Sequence, residues 1–264
     1  MQVARLVKSA LVVMGMGASV VMAGAVTTDG STSMEKLVGV LSEAYTKAHP
    51  DVRVTYNPTG SSAGISAVRE ERADIGLSSR HLKDDEAKVL DAKTVAIDGI
   101  VVVVNKNNPV KDLSMEDLGK LFRGEVDNWK ALGGKDAPVV LIGREAGSGT
   151  RDGFEEVTRT KGKAAYRQEL TSTGDVLTTV STNANAVGYA SLSSLSKKVK
   201  ALTINGVEAT EATVQSGKYS LQRPFLMVLK KGRTLSNDAQ AFLTYVNSQE
   251  TAPLKRKVGV VPPQ

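Results

Sequence analysis

Short β-rich runs alternate along the chain with segments of helical period, which is the pattern of an α/β protein. Apolar and polar positions alternate over Val52–Tyr56, as in a half-buried strand. The run Ile100–Val104 is continuously apolar, as in a strand buried on both faces. Apolar positions recur at helical spacing over 34–48, 115–122 and 237–246, so these three segments are predicted to be amphipathic helices.

The pattern starts again after Asn107–Pro109, and a strongly apolar strand follows late in the chain, at Arg223–Leu229. The restart predicts a second lobe, and the late strand would carry the chain back to the first lobe. We therefore expect an α/β fold of two lobes joined by two crossing strands, with a ligand cleft between them. Residues 25–106 and 222–264 would form lobe 1, and residues 107–221 would form lobe 2.

The N-terminal residues have the features of a secretory signal peptide. Arg5 and Lys8 precede an uncharged run of apolar and small residues, Leu11–Met22, and small residues suitable for cleavage follow at Ala23–Ala25. The apolar run is too short to span a membrane. A buried N-terminal helix is the alternative interpretation. We expect residues 1–24 to be removed and the protein to be periplasmic or secreted.

Composition narrows the possible functions. Without Arg5 and Lys8 the 34 basic residues become 32, against 28 acidic residues, and this modest positive charge favours the approach of small anions. Aromatic residues are only 4% of the chain and the basic residues are scattered, so no nucleic-acid partner is expected. With no cysteine and two histidines, neither a disulfide framework nor a zinc site is expected, and no cofactor is predicted.

Glycine and hydroxyl residues follow a predicted strand and precede a predicted helix at Gly30–Ser33, Gly60–Ser62 and Gly147–Thr150. The N-terminus of a helix has unpaired N–H groups and a partial positive charge, and can bind an anion. A single turn of this kind is usually an ordinary helix cap. Three such turns, with Arg144 and Arg151 flanking the third, favour one shared anion cleft beyond the carboxyl ends of the strands.

A tetrahedral oxyanion suits many short donors together with one guanidinium, and Arg144 is the candidate for that guanidinium. A surface salt bridge is the alternative role for this arginine. Phosphate keeps a proton near neutral pH and sulfate does not, so a carboxylate that accepts this proton would select phosphate. Asp98 and Asp29 are candidates for the acceptor, although both also fit positions in turns.

An enzyme is the rival hypothesis. The segment Gly60–Gly64 matches the G-x-S-x-G pattern, which would make Ser62 the nucleophile of a secreted hydrolase. Such an enzyme needs an acid and then a histidine downstream. His49 lies upstream, and His81 follows too closely to leave room for the intervening elements. We therefore expect a binding protein rather than an enzyme.

The order and spacing of six segments resemble the PstS-like phosphate-binding proteins of the bacterial ABC phosphate-uptake system. These segments are Gly30–Ser33, Thr59–Gly64, Ala73–Arg80, Asp98–Asn105, Gly143–Arg151 and Ala186–Ala190. The resemblance implies a type II periplasmic binding protein fold that closes over inorganic phosphate and docks on an inner-membrane ABC permease, and we expect it to act as a monomer. Alternatives are another oxyanion (sulfate, molybdate or tungstate) or an extracellular adhesion protein with the same fold.

The resemblance also implies a set of ligand residues. Matching the motifs places phosphate contacts at Ser31, Thr32, Ser33, Ser61, Ser79, Arg80, Asp98, Arg144, Ser148, Gly149 and Thr150. Better-known members of the family carry Asp at the position of Ser79 and Gly at the position of Asp98. We hypothesise a swap in which Asp98 supplies the proton acceptor, and Arg80 pairs with Asp98 or with the anion.

Overall fold

The structure is a computed structural model that describes residues 24–263, so all but the last residue of the expected signal peptide lies outside the described residues. The strands are β1 (Gly24–Gly30), β2 (Val52–Asn57), β3 (Ile75–Ser78), β4 (Leu90–Asn105), β5 (Asp112–Leu113), β6 (Val140–Arg144), β7 (Gln168–Leu170), β8 (Ala186–Ser191), β9 (Val199–Ala201), β10 (Thr203–Ile204) and β11 (Gln222–Lys230). The helices are α1 (Glu35–Ala48), α2 (Ser61–Arg69), α3 (Asp84–Val89), α4 (Met115–Phe122), α5 (Gly149–Thr158), α6 (Thr173–Thr182), α7 (Glu211–Gln215), α8 (Asn237–Val246) and α9 (Ala252–Lys257). Short 3-10 turns cover Thr32–Met34, Trp129–Leu132, Leu192–Ser194 and Gln249–Thr251.

One long strand, β4, belongs to both lobes. Its first part pairs antiparallel with β11 as far as Gly99, and its second part, Ile100–Val104, pairs antiparallel with β8. The strands follow the order β2-β1-β3-β11-β4-β8-β6-β7, with β9 also on β4, and β5 pairs separately with β10. The chain thus crosses between the lobes along β4, and it returns just before β11.

Each lobe has its own apolar core. Lobe 1 packs β1, β3, the first part of β4 and β11 against α1, α2 and α8. Lobe 2 packs the second part of β4, β6 and β8 against α4, α5 and α6. The pairing partner of β4 changes from β11 to β8 between Gly99 and Ile100.

The carboxyl ends of parallel strands lie side by side in lobe 1 and place three turns together. Gly30, at the end of β1, is paired with Leu77 of β3 and has a φ of 139°. A Cβ at Gly30 would lie 2.1 Å from the carbonyl oxygen of Leu77, so glycine is required for this approach. The Gly60 N–H donates to the Gly30 carbonyl (2.8 Å), which brings the start of α2 to the same edge.

The predicted helices 115–122 and 237–246 are confirmed as α4 and α8. The predicted helix over 34–48 is confirmed as α1, which starts at Glu35 after a 3-10 turn. The spacing of Thr32 and Glu35 fits a capping box, but none forms, because the Thr32 hydroxyl instead contacts Thr173 in lobe 2. None of the helices within residues 24–263 has the length and apolar character needed to cross a membrane.

Candidate anion-binding site

Three serines of lobe 1 meet at the edge where β1 and β3 end and α2 begins. The Ser31 hydroxyl donates to Ser79 Oγ (2.9 Å), and Ser61 Oγ lies 3.2 Å from Ser79 Oγ. Ser61 Oγ also accepts the Ser79 backbone N–H (3.0 Å). Each of these residues is at most 2% exposed, so the three strand ends bring their hydroxyl groups into one buried group.

Lobe 2 contributes a buried guanidinium, that of Arg144 at the end of β6. Glu145 accepts from its Nε and Nη2 (both 2.9 Å), and the carbonyls of Leu170 and Thr171 accept from the same two nitrogens. The remaining nitrogen, Nη1, lies 3.2 Å from the hydroxyl of Thr173. Arg144 is therefore fixed along one edge, while Nη1 is directed towards hydroxyl groups.

The N-terminus of α5 approaches lobe 1 closely. Ser148 caps the helix, and Gly149 and Thr150 form its first buried residues. A Cβ built on Gly149 would lie 2.5 Å from Ser61 Oγ and 2.6 Å from Ser79 Oγ. Only glycine permits this distance, which sets the unpaired N–H groups of the first turn of α5 beside the serines of lobe 1.

Hydroxyl groups of the two lobes are in direct contact. Ser33 Oγ lies 2.7 Å from Thr150 Oγ1 and 3.1 Å from Thr173 Oγ1, and Thr32 Oγ1 lies 3.2 Å from Thr173 Oγ1. These side chains and the three serines of lobe 1 form the hydroxyl cluster, which consists of Ser31, Thr32, Ser33, Ser61, Ser79, Thr150 and Thr173. The cluster is buried, so its donors are well suited to hold an oxyanion away from water.

Thr173 is a member of the cluster that sequence reasoning missed. It is the first residue of α6, directly after β7 and the cap Ser172, and it is 3% exposed. The segment has the same strand, hydroxyl and helix order as the other three turns. No glycine precedes its hydroxyl residues, so it lacks the glycine-hydroxyl pattern that marks the other three turns.

Asp98 lies at the crossing between the lobes and is completely buried. Its Oδ1 accepts the Ser191 hydroxyl (2.7 Å), and its Oδ2 accepts from Arg223 Nη2 and Nε (3.0 and 3.2 Å). Burial raises the pKa of the Asp98 carboxyl, although the charge of Arg223 opposes this shift. Asp98 is linked to the cluster only indirectly, through two serines. Ser191 Oγ lies 2.7 Å from Ser193 Oγ, which donates to the Ser33 carbonyl (3.4 Å).

The hypothesised pair between Arg80 and Asp98 is wrong, because each residue has another partner. Both terminal nitrogens of Arg80 donate to Glu86 (2.8 and 2.9 Å), and its Nε lies 3.2 Å from Asp152. Asp98 is paired with Arg223 instead. Arg223 is 125 positions away in the sequence, on a strand that returns from the other lobe, so spacing gave no signal for this pair.

The carboxylates nearest the cluster also have partners. Asp29 accepts the hydroxyl of Thr59, and both oxygens of Glu145 accept from Arg144. Within the described residues, no side-chain hydrogen bond joins a carboxylate to a member of the hydroxyl cluster. The hydroxyl groups themselves can take the acceptor role, because a hydroxyl both donates and accepts.

Comparison with known proteins identifies the family. A model of the PBP superfamily domain matches residues 19–250. The phosphate-binding protein PstS of Bacillus subtilis (strain 168) is 33% identical over 231 residues, which cover 86% of this chain and 76% of that protein. The chain belongs to the PstS-like phosphate-binding proteins of the PBP superfamily.

Solved structures of similar proteins confirm the two-lobed type II periplasmic binding protein fold. A crystal structure with bound phosphate, described as that of a phosphate ABC transporter substrate-binding protein from Clostridium perfringens, is 36% identical with a TM-score of 0.88, covering 91% of this chain and all of that one (100%). An ABC-type phosphate transport receptor from Vibrio cholerae is 34% identical with a TM-score of 0.73, covering 90% of this chain and 100% of that one.

The PstS-like family consists of substrate-binding proteins, so the chain is not an enzyme. The surroundings of Ser62 fit this assignment. Its hydroxyl accepts from Arg80 Nη2 (3.0 Å) and its backbone N–H donates to the Gly147 carbonyl (3.1 Å). Neither His49 nor His81 forms a side-chain hydrogen bond with Ser62 in the described part of the chain, so the nucleophile proposed from the G-x-S-x-G pattern has no base.

Proposed function

We propose that this protein is a periplasmic or extracellular receptor that captures inorganic phosphate between its lobes and delivers it to an ABC importer. The observation that carries the proposal is the convergence of buried hydroxyl groups from both lobes on one guanidinium. Ser33 of lobe 1 and Thr150 of lobe 2 are 2.7 Å apart, and Nη1 of Arg144 points to Thr173 beside them. Family membership and the phosphate-bound relative support the same ligand.

Different residues would supply the charge, the hydrogen-bond donors and the proton acceptor that a bound phosphate needs. Arg144 supplies positive charge, and the first turns of α2 and α5 supply backbone N–H groups. The cluster hydroxyls supply the remaining donors, and the Ser79 hydroxyl can accept the proton of hydrogen phosphate where better-known members have Asp. We assign direct contacts to Ser31, Thr32, Ser33, Ser61, Ser79, Arg144, Ser148, Gly149, Thr150 and Thr173. Asp98 and Arg80 take supporting roles, since the Asp98 carboxylate is paired with Arg223 and both terminal nitrogens of Arg80 donate to Glu86.

Binding and closure, without bond chemistry, form the proposed mechanism. Phosphate touches both lobes only when they are closed, so it shifts the equilibrium towards the closed form. The permease would then recognise that form. We further propose that the signal peptide is cleaved on export, that the receptor acts as a monomer, and that it binds no nucleic acid.

Isothermal titration calorimetry on the exported chain, freed of bound phosphate, tests this function. Phosphate is expected to bind with one site per chain, and Arg144→Ala should weaken binding roughly 10- to 100-fold because it removes a hydrogen bond to a charged group. Arg167→Ala, an exposed arginine of the same lobe, is the matched control and should bind as the wild type does. Absence of phosphate binding, or tighter binding of sulfate, molybdate or tungstate, would contradict the proposal.

A further inference from the structure

The Arg80 side chain is held rigidly on lobe 1. Its two terminal nitrogens form a bidentate pair with Glu86 of α3, at 2.8 and 2.9 Å. Nη1 also donates to the His81 carbonyl (2.9 Å), and Nη2 to the Ser62 hydroxyl (3.0 Å). The side chains of Arg80 and Glu86 are only 6% and 11% exposed. All of these partners belong to lobe 1, so they orient the guanidinium independently of lobe 2.

The third nitrogen of Arg80 faces lobe 2. Nε lies 3.2 Å from Oδ2 of Asp152, in the first turn of α5, and it has no hydrogen-bond partner in the described residues. Asp152 is 29% exposed and lies at the outer side of the lobe contact. A backbone contact between the lobes, from Ser62 N–H to the Gly147 carbonyl (3.1 Å), accompanies the pair. Neither Arg80 nor Asp152 belongs to the hydroxyl cluster.

We propose that Arg80 is a positioning residue that holds the lobes closed over the anion through its pair with Asp152. This inference rests on the proposed function, because it concerns how long the closed cleft retains phosphate. The Arg80–Asp152 contact joins two lobes, so it contributes only to the closed form and shifts the equilibrium towards it. Because Glu86 and Ser62 already orient the guanidinium, little side-chain freedom is lost when the pair forms.

The ion pair with Glu86 keeps Arg80 charged in this position. Burial alone would lower the pKa of the guanidinium, but the hydrogen bond and the charge of Glu86 raise it, and Asp152 raises it further. The acids that act on Arg80 are thus Glu86 and Asp85 from its own lobe and Asp152 from the opposite lobe. Asp152 can be removed without leaving Arg80 unpaired, since Glu86 remains.

Stopped-flow kinetics of phosphate binding and release on the exported chain test the role of the pair. Asp152→Asn should accelerate release and weaken affinity by roughly two- to fivefold, leave the association rate unchanged, and reduce the salt dependence of release. Asp117→Asn is the matched control, because Asp117 is also an acid in the first turn of a lobe 2 helix, but within the described residues its side chain hydrogen-bonds only to its own cap, Ser114. This control should release phosphate at the wild-type rate.

A double-mutant cycle with Arg80→Gln completes the test. If Arg80 acts through Asp152, the two substitutions combined should accelerate release less than the product of their separate effects. An Asp152→Asn variant that binds and releases phosphate at wild-type rates would overturn the inference while leaving the proposed function intact. Failure of the wild-type chain to bind phosphate in calorimetry would instead remove the proposed function itself.

Discussion

At the scale of single residues, Thr173 has an unusual number of contacts for one hydroxyl group. Its Oγ1 lies within 3.2 Å of Thr32, Ser33 and Arg144, so it joins lobe 1 hydroxyls to the guanidinium of lobe 2. A threonine that only capped or filled space would not need these partners. The arrangement indicates that Thr173 orients the guanidinium of Arg144, and we have proposed that it also donates to the anion.

Thr173→Val removes the hydroxyl group and keeps the shape of the side chain. We expect this variant to weaken phosphate affinity about three- to tenfold, since one hydrogen bond to the anion is lost. Thr178→Val, an exposed threonine on the same helix, should bind phosphate normally. Calorimetric titration of both variants measures the difference, and equal affinities would place Thr173 outside the site.

The glycine-hydroxyl turns in the sequence predicted part of the candidate site. The remaining contacts depend on residues that are far apart in the sequence. Hydroxyl residues of the turns at Gly30–Ser33 and Gly147–Thr150 lie in the hydroxyl cluster, because each turn follows a strand end. The partners of Arg80 and Asp98 were not predictable from local spacing, because Asp152 lies in the opposite lobe from Arg80, and Arg223 lies beside Asp98 only through the pairing of β11 with β4. Local spacing carries no information about such partners.

At the scale of elements, a buried lysine caps the C-terminal end of α8. Lys255 of α9 is 2% exposed, and its Nζ donates to the carbonyl of Val246, the last residue of α8 (2.8 Å). Thr251 donates to the same carbonyl (3.0 Å). Burial, with no carboxylate partner beside it, lowers the pKa of Lys255 from 10.5 to about 8.

This pKa shift predicts how stability depends on pH. Between pH 8 and 10.5 the unfolded chain binds more protons at Lys255 than the folded chain does, so the free energy of unfolding rises with pH over this window. Relative to Lys255→Met, the wild type should gain about 1–2 kcal/mol from pH 7 to 9.5. Denaturant unfolding of both proteins measures the gain, and parallel pH profiles would show that Lys255 titrates normally.

Only part of strand β4 was predicted from the sequence. Its apolar run Ile100–Val104 was predicted, but its first part, from Leu90, was not. That part carries exposed polar residues such as Asp91 and Lys93. Its paired strand is β11, and on its other side a single bridge joins Ile97 to Val261, so most of it is an edge of the sheet in lobe 1. Charged residues are typical of sheet edges and obscure the strand pattern.

At the scale of the whole molecule, contacts between the lobes occur in separate places. The hydroxyl cluster forms the centre, the Arg80–Asp152 pair lies on one side, and the Ser193 hydroxyl reaches the Ser33 carbonyl towards the crossing strands. The last contact continues to the ion pair of Asp98 with Arg223 through Ser191. The hydroxyl cluster and the crossing strands are thus connected by hydrogen bonds.

The two-lobed organisation was predicted from the restart of the α/β pattern, and the family comparison confirms it. The position of the crossing was harder to predict. β4 remains apolar on both sides of Asp98–Ile100, so hydrophobicity does not mark where its neighbour changes from β11 to β8. Only the three-dimensional pairing reveals that point.

A crystal structure of residues 25–264 grown with phosphate is the most direct test of the proposed site. One tetrahedral anion should be enclosed by both lobes, within hydrogen-bond distance of Ser33, Ser79, Thr150 and Nη1 of Arg144. An anion bound to one lobe alone, or one bound away from these side chains, would show that the proposed site is wrong.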